Sequence, residues 1–224
     1  MDKTRVLVIR YDNKIMQSEI PLFRGAVIAT MEGNADVMYH NHSESGVLYR
    51  YPLIQYKRIN QCAAIVAIDA GVDVMGQFLS SGVSSLCIGN RQEVFSVCDV
   101  KSRMALVQVW NGEFDYALRK WLPLNSKNYE EYEKIEILSD RISFLERILI
   151  GNIISFAKGI GVSLDKHIEC AILSIDSQAF MIYKGVRMLS LDLKFKTNVS
   201  LPNFIGIGKG VSLGFGTVHK CVED

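Results

Sequence analysis

The sequence lacks the features that mark several common classes of protein. Its five cysteines are scattered through 224 residues without a CxxC pair or another metal-ligand spacing, so we expect reduced thiols and a cytoplasmic protein. The longest apolar run, residues 148–156, is too short to cross a bilayer, and the charged start MDKTRVLVIR is unlike a signal peptide. We therefore expect no membrane partner.

The chain also lacks a surplus of charge of either sign. It carries 25 Lys and Arg against 24 Asp and Glu, a formal net charge of +1. A protein that binds nucleic acid through its overall charge would be strongly basic. Any site for a polyanion must therefore come from a local group of cations.

Histidine is scarce as well, with four residues, two of which form the sequence His40-Asn41-His42. In an extended segment this spacing puts both rings on one side of the chain. Three interpretations are open: a solvated pair in a loop, part of a metal site, or a general acid and base. A metal site needs three or four ligands, and only Asp36 and Glu44 are near in sequence.

The neighbours of the histidine pair favour acid–base chemistry on a phosphate. An unperturbed imidazole has a pKa of about 6.5, so it can exchange protons near neutral pH. Cations can stabilise charge on a phosphate and tyrosines can stack on unpaired bases, although both residue types are also common on the outer face of a strand. The surrounding tyrosines and cations are Tyr39, Tyr49, Arg50, Tyr51, Tyr56, Lys57 and Arg58.

A glycine-rich stretch, residues 202–216, lies near the end of the sequence. Glycine weakens ordinary strands and helices, so this stretch needs positive φ angles or close approach of the backbone to a ligand or another segment. It matches neither a P-loop nor a dinucleotide-binding fingerprint. Its cation, Lys209, together with Lys194 and Lys196 on the preceding strand, suits a phosphate backbone. Its five glycines are Gly206, Gly208, Gly210, Gly214 and Gly216.

The hydrophobic pattern predicts the same order of elements twice, β-α-β-β-α-β. In the first half, strands are predicted at residues 6–9, 49–59, 62–68 and 93–100, with helices that begin at Pro21 and Gly71. This is the order of the ferredoxin-like fold.

The second half predicts a helix at residues 137–158 and strands at 105–110, 170–175, 179–183, 187–199 and 213–218. Residues 176–178 are predicted to be a turn, and the glycine-rich stretch to replace the second helix. The fold class is thus α+β, with two tandem ferredoxin-like (RRM-like) βαββαβ domains, residues 1–103 and 104–224, and a C-terminal Gly-rich loop.

Four segments resemble one known family. GIGKGVSLGFG is similar to the Gly-rich loop of CRISPR-associated RAMP-superfamily endoribonucleases, which process CRISPR repeat transcripts. FRGAVIATM, HNH and YRYPLIQYK are similar to that family's first helix, its catalytic-histidine loop and the following strand. With the doubled fold, the resemblance covers nearly the whole chain.

The resemblance implies metal-independent cleavage of CRISPR repeat RNA, with no cofactor and no metal. The ribose 2′-hydroxyl attacks the adjacent phosphate, with His40 and His42 as base and acid and Lys57 or Arg58 stabilising the phosphorane. The implied RNA-binding residues are Arg50, Tyr51, Arg58, Lys194, Lys196, Lys209 and the five glycines. A non-catalytic RNA-binding subunit of a CRISPR effector complex is the alternative, and effector-complex proteins and a second copy of the chain are the further partners. A metal-dependent hydrolase would need more ligands than the sequence shows.

Overall fold

The structure is a computed structural model that describes residues 3–31, 42–43, 46–47 and 51–221. The chain forms two compact units. One comprises Met1–Ala105 together with Ser212–Gly214, and the other comprises Leu106–Val211 together with Phe215–Asp224. The short segment Ser212–Gly214 thus belongs to the N-terminal unit although it lies within the glycine-rich stretch.

The N-terminal unit has a four-stranded antiparallel sheet in the order β4-β5-β1-β8. This is the strand order of a ferredoxin-like fold, in which the first and third strands of the repeat are central, so the predicted fold class is confirmed for this half. The elements are β1 (Thr4–Lys14), α1 (Ile20–Thr30), β2 (His42–Ser43), β3 (Gly46–Val47), β4 (Ile54–Ile59), β5 (Cys62–Ile68), α2 (Ala70–Ser80), β6 (Ser85–Ile88), β7 (Arg91–Val94) and β8 (Val97–Ala105).

The core of this unit contains α1, α2 and one face of the sheet. Phe23 of α1 stacks on Phe95 and meets the rings of Tyr11 and Tyr56 edge to face. Residues 63–68 of β5 are completely buried, as is typical of a strand that is a continuous apolar run. Leu213 also packs against this core, which accounts for the place of Ser212–Gly214 in the unit.

The C-terminal unit repeats the topology, with its sheet in the order β10-β11-β9-β12. Between β11 and β12 the chain forms one 3-10 turn, Val211–Leu213, and no α-helix. The prediction that the glycine-rich stretch replaces the second helix is therefore confirmed. The elements are β9 (Val109–Trp121), α3 (Ser126–Glu133), α4 (Leu138–Gly159), β10 (Cys170–Tyr183), β11 (Val186–Val199) and β12 (Thr217–Lys220).

Two of these elements carry the predicted apolar faces. Along β11, Leu189, Leu191, Leu193 and Phe195 are all buried, as the period-two alternation predicts. Along α4, the stripe from Leu145 through Phe156 is buried, whereas Leu138 in the first turn is 72% exposed. None of the helices in the described part of the chain has the length and apolar character needed to span a bilayer.

Residues 176–178 are not a turn, so this prediction is wrong. Cys170–Tyr183 is one strand, and Ser177 and Gln178 pair with Asp192 and Leu191 of β11. Polar residues can occupy an edge strand because their side chains point to solvent, and two irregularities in the register absorb the change in twist. The turn lies instead at Lys184 and Gly185, which both have positive φ and join β10 to β11 in a long hairpin.

Four other strand boundaries were also wrong. Residues 93–100 are divided between β7 and β8, and residues 105–110 combine the end of β8 with the start of β9. β4 begins at Ile54, so it covers only the second half of the strand predicted at residues 49–59. Residues 213–218 change from a 3-10 turn to β12 at Thr217. In each case apolar residues continue across a break in pairing, so hydrophobicity does not reveal the boundary.

Candidate functional site

The predicted catalytic histidines lie at the margin of what the structure describes. His40 and Arg50 are outside the described residues. His42 begins β2, where its backbone pairs with Val47 of β3. The general acid–base role of His40 and His42 and the RNA contact of Arg50 stay predictions.

Lys57, the third predicted catalytic residue, is buried on β4 with 1% of its surface exposed. Burial disfavours the charged ammonium and lowers the pKa of Lys57 to about 7. A lysine with such a pKa is only partly charged at neutral pH. Because only 1% of Lys57 is exposed, its predicted role at the phosphate stays a prediction.

Its neighbour Arg58 has the opposite character. The Arg58 side chain is exposed, and its Nε donates a hydrogen bond of 2.7 Å to the carbonyl oxygen of Ile15. A guanidinium remains protonated at any physiological pH. Of the two predicted phosphate-stabilising cations, Arg58 is thus the one that presents a permanent charge to solvent.

Tyr51 is half-buried just before β4. Its hydroxyl oxygen accepts a hydrogen bond of 2.7 Å from Nε2 of Gln55, which also donates to the carbonyl oxygen of Pro52 at 3.1 Å. Gln55 is completely buried. The Tyr51 ring is therefore held in place from a buried strand, next to the predicted histidine segment in sequence.

The glycine-rich stretch folds back on itself beside β12. Gly206 forms a bridge with Thr217, the amide of Ile207 donates to the carbonyl oxygen of Gly216 at 2.9 Å, and the amide of Val218 donates to that of Ile205 at 2.8 Å. The stretch is thus held by backbone hydrogen bonds. Four of its glycines have positive φ: Gly208, Gly210, Gly214 and Gly216.

Two of these glycines show why bare backbone is needed. A Cβ at Gly208, where φ is +88°, would lie 2.8 Å from Oδ1 of Asn152 and 2.9 Å from Nε1 of Trp121. A Cβ at Gly216 would overlap the carbonyl oxygen of Ile207. Close packing therefore accounts for both glycines, and their contact with RNA stays a prediction.

The cations of the stretch and of β11 differ in their surroundings. Lys209, between Gly208 and Gly210, is half-buried, and this burial lowers its pKa. Lys194 is exposed. Lys196 forms a 2.8 Å ion pair with Glu113, which raises the pKa of Lys196.

Carboxylates lie beside these β11 lysines. Lys194 lowers the pKa of Asp176 on β10, although the hydrogen bond from Arg119 has the larger effect on that group. Asp192 on β11 accepts a 2.6 Å hydrogen bond from the amide of Lys120. The predicted cationic face therefore has charges of both signs, because neighbouring strands contribute acids that are distant in sequence.

The sequence interpretation missed a group of flat side chains in the C-terminal unit, Tyr129, Phe180 and Arg187. Tyr129 lies on α3 and Phe180 lies on β10, about fifty residues later, so no sequence motif connects them. Among the described residues, no three His, Cys, Asp or Glu side chains come close enough together to hold a metal ion.

Comparison with known proteins identifies relatives for both units. Residues 2–104 match the model of the Cas6b N-terminal domain, and residues 108–221 match that of the Cas6b C-terminal domain. An uncharacterized protein of Methanocaldococcus jannaschii is 35% identical over 104 residues, which is 46% of this chain and 69% of that protein.

Two solved structures resemble the chain over almost its full length. A crystal structure of Cas6b has a TM-score of 0.85 at 27% identity and covers 98% of this chain and 100% of its own. A crystal structure of the CRISPR RNA processing endoribonuclease Cas6b has a TM-score of 0.75 at 28% identity with the same coverage. The resemblance inferred from the four sequence segments is thereby confirmed.

Proposed function

Because the chain belongs to the Cas6b family, we propose that it is a metal-independent endoribonuclease that cuts CRISPR repeat RNA to release guide RNAs. The match of both units to this family is the observation that carries the proposal. One of the similar solved structures is itself a CRISPR RNA processing endoribonuclease. The doubled ferredoxin-like fold with its paired glycine-rich stretch supports the same function.

The reaction needs no nucleophile from the protein. A base, His40 or His42, takes the proton from a ribose 2′-hydroxyl, whose oxygen forms a bond to the adjacent phosphorus. The bond from phosphorus to the 5′-oxygen breaks, and the other histidine gives that oxygen a proton. The products are a 2′,3′-cyclic phosphate and a 5′-hydroxyl, so DNA, which lacks the 2′-hydroxyl, is not a substrate.

Lys57 and Arg58 have separate roles in this proposal. Arg58 is exposed and permanently charged, so it suits the negative charge that develops on the phosphate oxygens. Lys57 is buried, so it is assigned a place in the packing of β4 and no contact with the phosphate. Arg50, Tyr51, Lys194, Lys196 and the glycine-rich stretch with Lys209 contact the RNA outside the cleaved bond.

Cleavage of the cognate repeat RNA in EDTA tests the activity. We expect one cut by the wild-type protein in EDTA, and no cut when the sugar 5′ of the scissile phosphate is 2′-deoxy. The double variant His40→Ala with His42→Ala should lose cleavage and keep RNA affinity within a few-fold. The control His167→Ala, at an exposed histidine of the C-terminal unit, should cut normally.

Three results would contradict parts of this proposal. Loss of cutting in EDTA would indicate a metal-dependent reaction, and cutting of the 2′-deoxy RNA would indicate water as the nucleophile. RNA binding by the wild-type protein without any cleavage would favour the non-catalytic RNA-binding subunit. Binding to effector-complex proteins, self-association and a cytoplasmic location are further proposals, to be tested by co-purification, by mass in solution and by cell fractionation.

A further inference from the structure

The C-terminal unit has a cavity of about 380 Å³ between the start of α3 and the β10–β11 hairpin. Helix α3 contributes Tyr129 and Glu130, and the hairpin contributes Phe180 and Arg187. None of these residues belongs to the histidine segment or to the glycine-rich stretch. The cavity is thus separate in sequence from the residues assigned to cleavage.

The hairpin side of the cavity carries a fixed cation. The Arg187 guanidinium carbon lies 4.2 Å from the centre of the Phe180 ring, a cation–π contact between neighbouring strands. Phe180 is 46% exposed, so an apolar ring and a positive charge are presented to solvent together. Lys184, in the turn of the same hairpin, does not line the cavity, because its ammonium lies over the Tyr183 ring, 5.8 Å from the ring centre.

The helix side of the cavity is equally fixed. The Tyr129 ring lies 6.4 Å from the Phe180 ring, nearly perpendicular to it, and its hydroxyl donates a 2.6 Å hydrogen bond to Glu133. Asn125 caps the helix, because its Oδ1 accepts a 2.7 Å bond from the amide of Asn128. The Tyr129 ring is therefore oriented before any ligand arrives, which reduces the entropy lost on binding.

These features suit a flat, partly polar ring attached to a negative charge. An unpaired nucleobase stacks on aromatic rings and on arginine, and the adjacent phosphate pairs with exposed cations. Glu130 and Asn125 supply polar groups at the rim for the edge of the base. A paired base would be less well suited, because both of its faces and its hydrogen-bonding edge are already occupied within a duplex.

We propose that this cavity binds one unpaired nucleobase of the RNA, stacked on Tyr129 and Arg187, whose guanidinium also pairs with the adjacent phosphate. The inference rests on the proposed function for its ligand class. It adds an RNA contact that is distant in sequence from the cleavage residues. The cavity would thereby fix the register of the repeat in the protein.

A matched pair of variants on α3 tests this proposal. Tyr129→Ala removes the ring from the cavity, whereas Tyr132→Ala removes a half-buried tyrosine that instead contacts Phe144 and Arg141. The probe is the repeat RNA with 2-aminopurine placed at each unpaired position in turn. We expect one position to be quenched on binding to the wild-type protein and to Tyr132→Ala. That quenching should be lost in Tyr129→Ala.

Affinity and a conservative variant complete the test. Base–aromatic stacking predicts that Tyr129→Ala binds the repeat RNA at least five-fold more weakly than Tyr132→Ala. Tyr129→Phe keeps the ring and should restore both quenching and affinity, which a general loss of folding would not allow. Arg187→Gln should also weaken binding at least five-fold.

The results separate this inference from the proposed function. If the wild-type protein cuts the repeat but Tyr129→Ala and Tyr132→Ala bind and quench alike, the cavity proposal is wrong and the endonuclease stands. If quenching depends on Tyr129 but no variant or wild-type protein cuts RNA, the cavity proposal stands and the catalytic one fails. Wild-type protein that binds no RNA at all would overturn both.

Discussion

The amine of Lys57 is buried on β4, and this burial lowers its pKa from 10.5 to about 7. In the unfolded chain the amine is solvated and keeps its ordinary pKa. Below pH 7 both states bind the proton, and the folded state bears the full cost of a buried charge. Between pH 7 and 10.5 the unfolded state binds more protons, so stability rises with pH across this window.

We therefore predict that Lys57→Met flattens the pH dependence of stability. The wild-type free energy of unfolding should increase from pH 7 to pH 10 relative to that of Lys57→Met, by a few kcal/mol in total. Urea denaturation at a series of pH values measures the difference. Lys194→Met, at an exposed lysine, is the control and should keep the wild-type slope. Identical slopes for Lys57→Met and the wild type would mean that Lys57 titrates normally.

A substitution at Gly216 should also have a large effect on stability. Gly216→Ala forces a Cβ onto the carbonyl oxygen of Ile207 at a φ of +60°, which is strained for any residue except glycine. We expect a loss of stability of about 1–3 kcal/mol or more from this strain. Thermal unfolding measures the loss.

Gly151→Ala is the matched control for that change. Gly151 lies on the exposed side of α4, and nothing is within 4 Å of its added Cβ. Alanine there should stabilise the helix by about 0.5–1 kcal/mol. If Gly216→Ala is as stable as Gly151→Ala, our account of Gly216 as a closely packed position is wrong.

Helix α4 stabilises the C-terminal unit through one face. Leu145, Leu149, Ile153 and Phe156 are completely buried along this face, and the helix contacts β10. Because a helix turn repeats every 3.6 residues, these positions form a continuous apolar stripe. The first turn does not share this packing, since Leu138 is 72% exposed.

The same substitution, leucine to alanine, should have different effects in the buried stripe and in the exposed first turn. Leu149→Ala should lower the free energy of unfolding by about 2–5 kcal/mol, because it leaves a cavity in the core. Leu138→Ala should change it by about 0.5 kcal/mol or less. Chemical denaturation of both variants measures the contrast. Equal losses would mean that the helix is packed along its whole length.

The chain forms two units of the same topology, and one short segment belongs to a different unit from its neighbours in sequence. Ser212–Gly214 follows five elements of the C-terminal unit in sequence but belongs to the N-terminal unit, and Leu213 packs against the core of that unit. The glycine-rich stretch thus has a structural role in both units.

Leu213→Ala should therefore destabilise the N-terminal unit, although it lies near the end of the chain. We expect a loss of about 1–2 kcal/mol, because Leu213 is only partly buried. Hydrogen exchange of the amides in α1 and β4 should become faster. The control Leu173→Ala, at an exposed leucine of β10, should leave that exchange unchanged. Faster exchange confined to the C-terminal sheet would contradict the assignment of Leu213.

Local periodicity by itself determined the fold class of this protein. The alternation of Leu189, Leu191, Leu193 and Phe195 specified which face of β11 is buried, and the stripe in residues 137–158 specified a long helix. Such patterns reside in neighbouring residues, so they need no knowledge of the fold. The four segments that resemble the family likewise indicated the family that the comparisons confirm.

Only the tertiary structure decided the properties that depend on residues distant in sequence. It paired Lys196 with Glu113, buried Lys57 enough to lower its pKa, and extended β10 through the polar residues 176–178. It also brought Tyr129 of α3 beside Phe180 and Arg187 of the hairpin. Charge pairing, desolvation and cavity shape arise from the three-dimensional neighbours of a residue, which the order of residues along the chain does not reveal.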